Sequence, residues 1–284
     1  MNEAYQYCRA VAHKHGANFS VGFRFLPRTK RQAVYAAYAW CRVADDIADD
    51  EDGGPAAERL IRLDSWQREL DAAYDGAPTD PVTIALADAL RHFAIPKSAF
   101  VALVDGCRQD MVKTRYETFP ELLHYCELVA SSISDISLAI FGYRSEAALE
   151  YGRKLSTALQ LTNITRDVGD DVGRDRIYIP RQELQRFGVC ERDLFDHRQT
   201  ARVRALIEFQ IARAESYFRE AEPLLRELAF DARFPTLLMG SIYATVLAKL
   251  KKDPLLAIRR NRLRLSTVQK LMVVGRRMLR PHFV

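Results

Sequence analysis

Two short stretches of this chain carry the residue types that could do chemistry. The first is AWCRVADDIADDEDG, from Ala39 to Gly53, in which six of the eight residues from Asp45 to Asp52 are acidic although the whole chain has a net charge of +5. On a helix, residues three, four and seven apart share a face. Tyr38, Arg42, Asp45 and Asp49 then fall within roughly 40° of one line, giving a stripe of hydroxyl, guanidinium and two carboxylates. The carboxylates are one turn apart, about 6 Å between Cβ atoms. Like charges at that spacing repel, and carboxylates near a helix C-terminus oppose the macrodipole, so something must offset the cost. Water alone can do so. Acidic helix ends that spill into loops are common, and Asp50, Glu51 and Asp52 are read in that way.

The second stretch, ALQLTNITRDVGDDVGRDRIYIP, runs from Ala158 to Pro180. Asn163, Asp167 and Asp171 step by four, with Gln160 beside them and Arg166, Arg174 and Arg176 flanking. Hard oxygen donors without His or Cys suit Mg²⁺, which keeps several waters and bridges a few carboxylates to substrate phosphates. Arginine adds bidentate contacts to phosphate oxygens. Cation and arginine together would stabilise diphosphate as a leaving group, leaving a carbocation behind.

The elements that must position these groups read as helices. Three-to-four apolar spacing runs through Lys30–Ile47, Ala56–Ala73, Pro81–Phe93, Ser98–Lys113, Glu121–Phe141, Ala147–Val168, Arg198–Leu228 and Phe234–Leu250. Gly and Pro supply breaks at DGGPAA, YDGAPTDP, AIPKS, TFPE, FGYRSE, RIYIPRQ and FPT. Strand-like alternation is scarce, and no repeat or long linker stands out. With 284 residues and 48% hydrophobic content, the expectation is one all-α domain spanning residues 1–284.

Composition narrows the function classes further. Five widely spaced cysteines, with no CxxC or HExxH, argue against a disulfide framework or zinc site and for a reducing cytosol. The N-terminus lacks a signal-peptide pattern, and the longest weakly polar run, Thr236 to Ala248, is short of the ~20 residues of a membrane span. From Lys249 to Val284 there are eleven Lys or Arg and one acid, Asp253. Such a region suits an anionic membrane surface, or a solvated helix face with an arginine turned inward to an anionic ligand. No zinc-finger, homeodomain or RRM signature accompanies the charge, so nucleic acid is not the expected partner. Trp40 and Trp66 are read as core, and His124 as a structural histidine rather than a base.

Tyr35 to Asp49 and Leu159 to Pro180 resemble the two aspartate-rich motifs of the squalene/phytoene synthase family. NFSVGFRFLPRTKRQAVYA, HYCELVASSISDISLAIFG and RRNRLRLSTVQKL fit the family order, so the likeness covers most of the chain. The second motif, NxxRDxxxD followed by RIYxP, is highly specific; DDxxD also occurs in head-to-tail prenyl synthases and terpene cyclases. The resemblance implies an all-α isoprenoid-synthase bundle with a central substrate cavity. It implies Mg²⁺-dependent head-to-head condensation of two prenyl diphosphates through a cyclopropylcarbinyl diphosphate. By the same resemblance Asp45, Asp49, Asn163, Asp167 and Asp171 would hold Mg²⁺, and Asn18, Tyr38, Arg42, Gln160, Arg166, Tyr243 and Arg262 would contact diphosphate.

Length and tail are similar to the shorter bacterial enzymes of hopanoid and C30 carotenoid pathways. That points to farnesyl diphosphate, with geranylgeranyl diphosphate to phytoene as the alternative. Another class I isoprenoid enzyme, or a non-enzymatic binding protein, would differ in product or in loss of the aspartates. NADPH use stays open, because family members that use it need no GxGxxG loop. An insoluble hydrocarbon product would suit a cytoplasmic enzyme resting peripherally on the inner membrane face. One departure stands out. After Tyr125-Cys126 the family often has a second Tyr near the reacting carbons, then AGxVG; here Glu127 takes that place and serines replace the glycines.

Overall fold

A computed structural model describes residues 1–15, 22–50, 54–260, 263–279 and 282–283. These residues are all-α, as the periodicity requires. Among them are no strands, only two isolated bridges, Arg115 with Ile177 and Tyr143 with Leu228. All five cysteines are free. The chain resolves into two compact units, each assembled from discontinuous segments.

The first unit comprises Met1–Val112, Ser132–Leu149 and Arg226–Thr236. It contains α1 (Asn2–His15), α2 (Arg28–Asp49), α3 (Ala56–Asp75), α4 (Pro81–Leu90), α5 (Lys97–Asp110) and α7 (Ser132–Phe141). Helix α2 is its hub, touching α1, α3, α4, α5 and α7. The sequence explains why. Ala33, Ala36, Ala37, Ala39, Ala44 and Ala48 are all buried, and small side chains let several neighbours approach one helix. Fully buried Trp40 stacks on Trp66 at 5.9 Å and meets Phe100 edge-on at 5.0 Å. Each such side chain contributes roughly 2–3 kcal/mol by leaving water. Lys30 donates to the carbonyl of Phe141 and to Asp231, both at 2.7 Å, which caps the end of α7.

The second unit comprises Lys113–Ser131, Glu150–Leu225 and Leu237–Val284. Its elements are α6 (Phe119–Cys126) with a π turn at Glu127–Ser131, α9 (Arg181–Arg186), α10 (Glu191–Phe195), α11 (Ala201–Ala221) and α14 (Thr267–Leu279). Most of α8 (Ala147–Asp171) and of α13 (Phe230–Lys252) belongs here too; α12 (Leu224–Glu227) spans the change of unit. Thr118 and Thr200 accept from the backbone N–H of Glu121 and Val203 and so start α6 and α11. A buried cluster joins α9 to α11: Gln210 donates to Glu183 at 2.7 Å, and Arg213 pairs with the same carboxylate while lying 3.8 Å above the Phe119 ring.

Three boundaries differ from the periodicity. The helix expected over Glu121–Phe141 is interrupted by the π turn, and that over Arg198–Leu228 breaks at Glu222–Pro223. The break expected at FPT is absent. Pro235 lies inside α13, about one turn from its start, where its missing N–H forfeits only the bond to the Asp231 carbonyl.

Candidate active site

Helix α2 delivers the first set of candidate residues. From Ala33 to Cys41 every residue is buried except Tyr38; beyond it Arg42, Asp45 and Asp46 keep partial exposure, and Asp49 is exposed. The polar stripe is therefore the accessible side of an otherwise packed helix. Two arginines on α3 offset the charge at its C-terminal end. Arg59 donates to the carbonyl of Ala48 at 2.6 Å, and Arg62 pairs with Asp50 at 2.9 Å. Arg42 turns to Asp46 through Nη2, while its Nε is buried without a partner among the described residues.

Asp45 retains accessible surface yet is closely surrounded by protein atoms. Burial pushes its carboxyl up from 3.8 to about 6; Asp49 and Asp46 add to the rise, while Arg42 and the Cys107 thiol pull the other way. Cys107, on α5, donates to Asp45 Oδ1 at 3.6 Å. Burial foremost, then Asp45, holds that thiol well above its ordinary range, so it is present as S–H.

Helix α8 delivers the second set in the same manner. Between Leu155 and Gly169 only Gln160, Asn163 and Asp167 keep accessible surface; Asp170 and Asp171 follow on the next turn. The buried hydroxyls of Thr162 and Thr165 bond back to the carbonyls of Ala158 and Leu161, so no polar group is lost inside. Asn163 donates to Gln160 at 3.3 Å. Arg166 is buried and forks onto its neighbour Asp167, Nε to Oδ1 at 2.6 Å and Nη2 to Oδ2 at 2.5 Å. Asp171 and buried Tyr243 lie within electrostatic reach of Arg166.

Close packing sets the position of this helix end. A Cβ on Gly169 would run into the carbonyls of Ile258 and Arg259, the latter at 2.7 Å, so only glycine permits this approach. Past Asp171 the chain turns through Asp175 at φ 55°. Arg115 clamps that turn, bonding Asp175 at 2.7 Å and Glu191 at 3.1 Å. The RIYIP segment is thereby held beside residues 114–116: Ile177 N–H donates to the Thr114 carbonyl at 2.9 Å. Tyr178 stacks on Tyr125 at 5.4 Å and on Tyr116 at 5.8 Å.

Asn18 and Arg262 lie outside the described residues. Glu127 is exposed, with only a loose approach of 3.6 Å to exposed His124, so it faces solvent rather than substituting for a buried phenol. Ser131 is buried against Ser156, their hydroxyls 3.5 Å apart. Sequence reasoning missed Cys107, whose partner is 62 residues away, and the Arg115 clamp, for which no local pattern exists. The Arg42–Asp46 pair did have a signal, its i, i+4 spacing.

The donor set fits Mg²⁺. It offers oxygen atoms and no imidazole, although among the described residues no three His, Cys, Asp or Glu side chains are gathered closely enough to hold a metal ion. Paired carboxylates that leave room for water and phosphate are what Mg²⁺ uses. The orphaned Nε of Arg42 is a buried donor still awaiting an acceptor, as an anion-binding arginine would be.

An all-α scaffold whose helices α2 and α8 each present an oxygen-rich face with an arginine beside it is the arrangement expected of an isoprenoid synthase. The squalene/phytoene synthase family profile matches residues 12–269, and the chain belongs to that family. It is accordingly a prenyltransferase, of the type that joins prenyl diphosphates head to head, and its family is generally divalent-metal dependent. Its relatives include 15-cis-phytoene synthases of Synechococcus elongatus, 35% identical over 89% of this chain and 85% of that one, and of a Synechocystis species, 37% identical over 87% and 76%. A squalene synthase structure from Alicyclobacillus acidocaldarius superposes with a TM-score of 0.82 at 30% identity, covering 88% of this chain and 94% of that one. A dehydrosqualene synthase structure gives 0.85 at 28%, covering 97% and 95%.

Proposed function

We propose that residues 1–284 act as one catalytic domain that condenses two molecules of geranylgeranyl diphosphate head to head to phytoene. The observation that carries the general chemistry is the accessible face of α8, reduced to Gln160, Asn163 and Asp167 on an otherwise buried stretch. The choice of the C20 substrate rests on the phytoene synthases among the curated relatives, which tilt the reading away from the C15 substrate suggested by chain length. A second reading, farnesyl diphosphate to presqualene diphosphate or a squalene-type C30 product for hopanoid or carotenoid biosynthesis, is favoured by the likeness to the squalene and dehydrosqualene synthase structures.

In this reading Asp45 and Asp49 on α2, and Asn163, Asp167 and Asp171 on α8, hold Mg²⁺. When bound, the ion neutralises developing charge on the leaving diphosphate. Arg42 and Tyr38 bind diphosphate oxygens, and the free Nε of Arg42 is the donor available for that. Arg166 fixes the orientation of the Asp167 carboxylate by its two-pronged contact. Gln160, Tyr243, Asn18 and Arg262 complete the diphosphate contacts. The C1–O bond of one substrate breaks with its electron pair going to diphosphate. The double bond of the second substrate attacks the allylic cation, and proton loss closes a cyclopropane. Renewed loss of diphosphate and rearrangement then give the hydrocarbon cation, which ends by proton loss in the phytoene outcome; in the squalene outcome NADPH, if used, would supply the hydride.

Incubation with Mg²⁺ and either diphosphate, with and without NADPH, read by mass spectrometry before and after phosphatase treatment, tests this. A C40 product supports the first reading and a C30 product the second; no coupled product from either refutes both. Asp45→Asn and Asp167→Asn should abolish diphosphate release while the fold survives, and normal turnover in both would remove the metal assignment.

Among the described residues no helix is long and apolar enough to cross a membrane. Helix α14 exposes Val268 and Met272, one turn apart, within the basic C-terminal region. This region is proposed to rest on the anionic inner face of the membrane, where the hydrocarbon can leave water. Liposome co-sedimentation that does not depend on anionic lipid would refute this.

A further inference from the structure

Asp45 is oriented from outside its own helix. Arg42, the cation one turn before it, is bonded to Asp46 instead, and among the described residues the only hydrogen-bond donor to Asp45 is the thiol of Cys107 on α5, at 3.6 Å. Cys107 is buried, and α5 packs directly on α2, so the donor is fixed by the core rather than by a mobile surface chain. The bond takes up Oδ1 and leaves Oδ2 with no described partner. A thiol is a weak donor. It can hold the carboxylate's rotamer without neutralising its charge as a guanidinium would, which is how an outer group serves a carboxylate that must bind a cation.

We propose that Cys107 is a positioning residue for the metal site, its thiol holding the Asp45 carboxylate in the orientation that receives Mg²⁺. The inference rests on the reading of Asp45 as a metal carboxylate. It is distinct from a packing role, because it depends on the donor and not on the volume of the side chain.

The test compares Cys107→Ser, which keeps a donor, with Cys107→Ala and Cys107→Val, which remove it; valine fills the space should alanine fail to fold. Asp45→Asn is run beside them. The readout is the Mg²⁺ concentration at half-maximal thermal stabilisation of the full chain at fixed inorganic pyrophosphate, which needs no turnover. The expected result is a midpoint raised about two- to tenfold in the alanine and valine variants, the span of one net hydrogen bond, and restored to within about twofold by serine. Equal shifts in all three Cys107 variants, or no shift in any while Asp45→Asn does shift, would overturn the positioning role and leave the metal assignment standing. No shift in Asp45→Asn would overturn both.

Discussion

Replacing Asp45 by Asn should stabilise the metal-free protein, and by an amount that grows with pH. In the folded chain burial raises the carboxyl from 3.8 to about 6. Between those values the unfolded chain is ionised while the folded chain keeps its proton. The folded state therefore binds more protons, and stability falls as pH rises through this window. The difference corresponds to about 3 kcal/mol, fully lost by the wild type at about pH 8 and mostly not yet lost at about pH 4. Asn is nearly isosteric, carries no charge and still accepts from the Cys107 thiol, so it avoids the penalty. The assay is urea denaturation in excess chelator at about pH 4, 6 and 8. The variant's advantage should rise from under about 1 kcal/mol to about 3 kcal/mol across the series. Adding Mg²⁺ and pyrophosphate should then favour the wild type, because only its carboxylate gains from binding. An advantage that does not change with pH, or a variant less stable than wild type at about pH 8, would refute the argument that a desolvated charge sits at this position.

Gly169→Ala should cost about 1–3 kcal/mol, because its methyl would enter the carbonyls of Ile258 and Arg259; an unchanged denaturation midpoint would show that the contact is not tight. Asp167→Ala should cost about 3 kcal/mol or more by depriving the buried Arg166 of its two-pronged partner, and equal loss in an Arg166→Met, Asp167→Ala double variant would contradict this. Glu127→Gln should leave turnover and product unchanged within about twofold, since the side chain faces solvent and such surface changes fall within ±0.5 kcal/mol. An altered product would return Glu127 to the reaction.

The sequence by itself determined the helical class, the two acidic faces and the family. Helix periodicity is local, so the stripe Tyr38, Arg42, Asp45, Asp49 and the steps from Gln160 to Asp171 were legible from spacing alone. Lone breakers were less reliable: Pro235 near the start of α13 costs one backbone bond, and neighbouring packing outweighs it. What needed the tertiary structure were partners distant in sequence. Spacing cannot tell that Arg59 and Arg62 of α3 meet the acidic end of α2, that Arg166 is consumed by Asp167, or that Arg115 pins the turn after the second motif. Nor can it tell that Glu127 points to water. The clearest case is Cys107, one of five widely spaced cysteines in the sequence, which becomes the donor to Asp45 only because α5 packs on α2. Residue type and period fix which face a group lies on; which other group it meets there is decided by the packing of helices far apart in the chain.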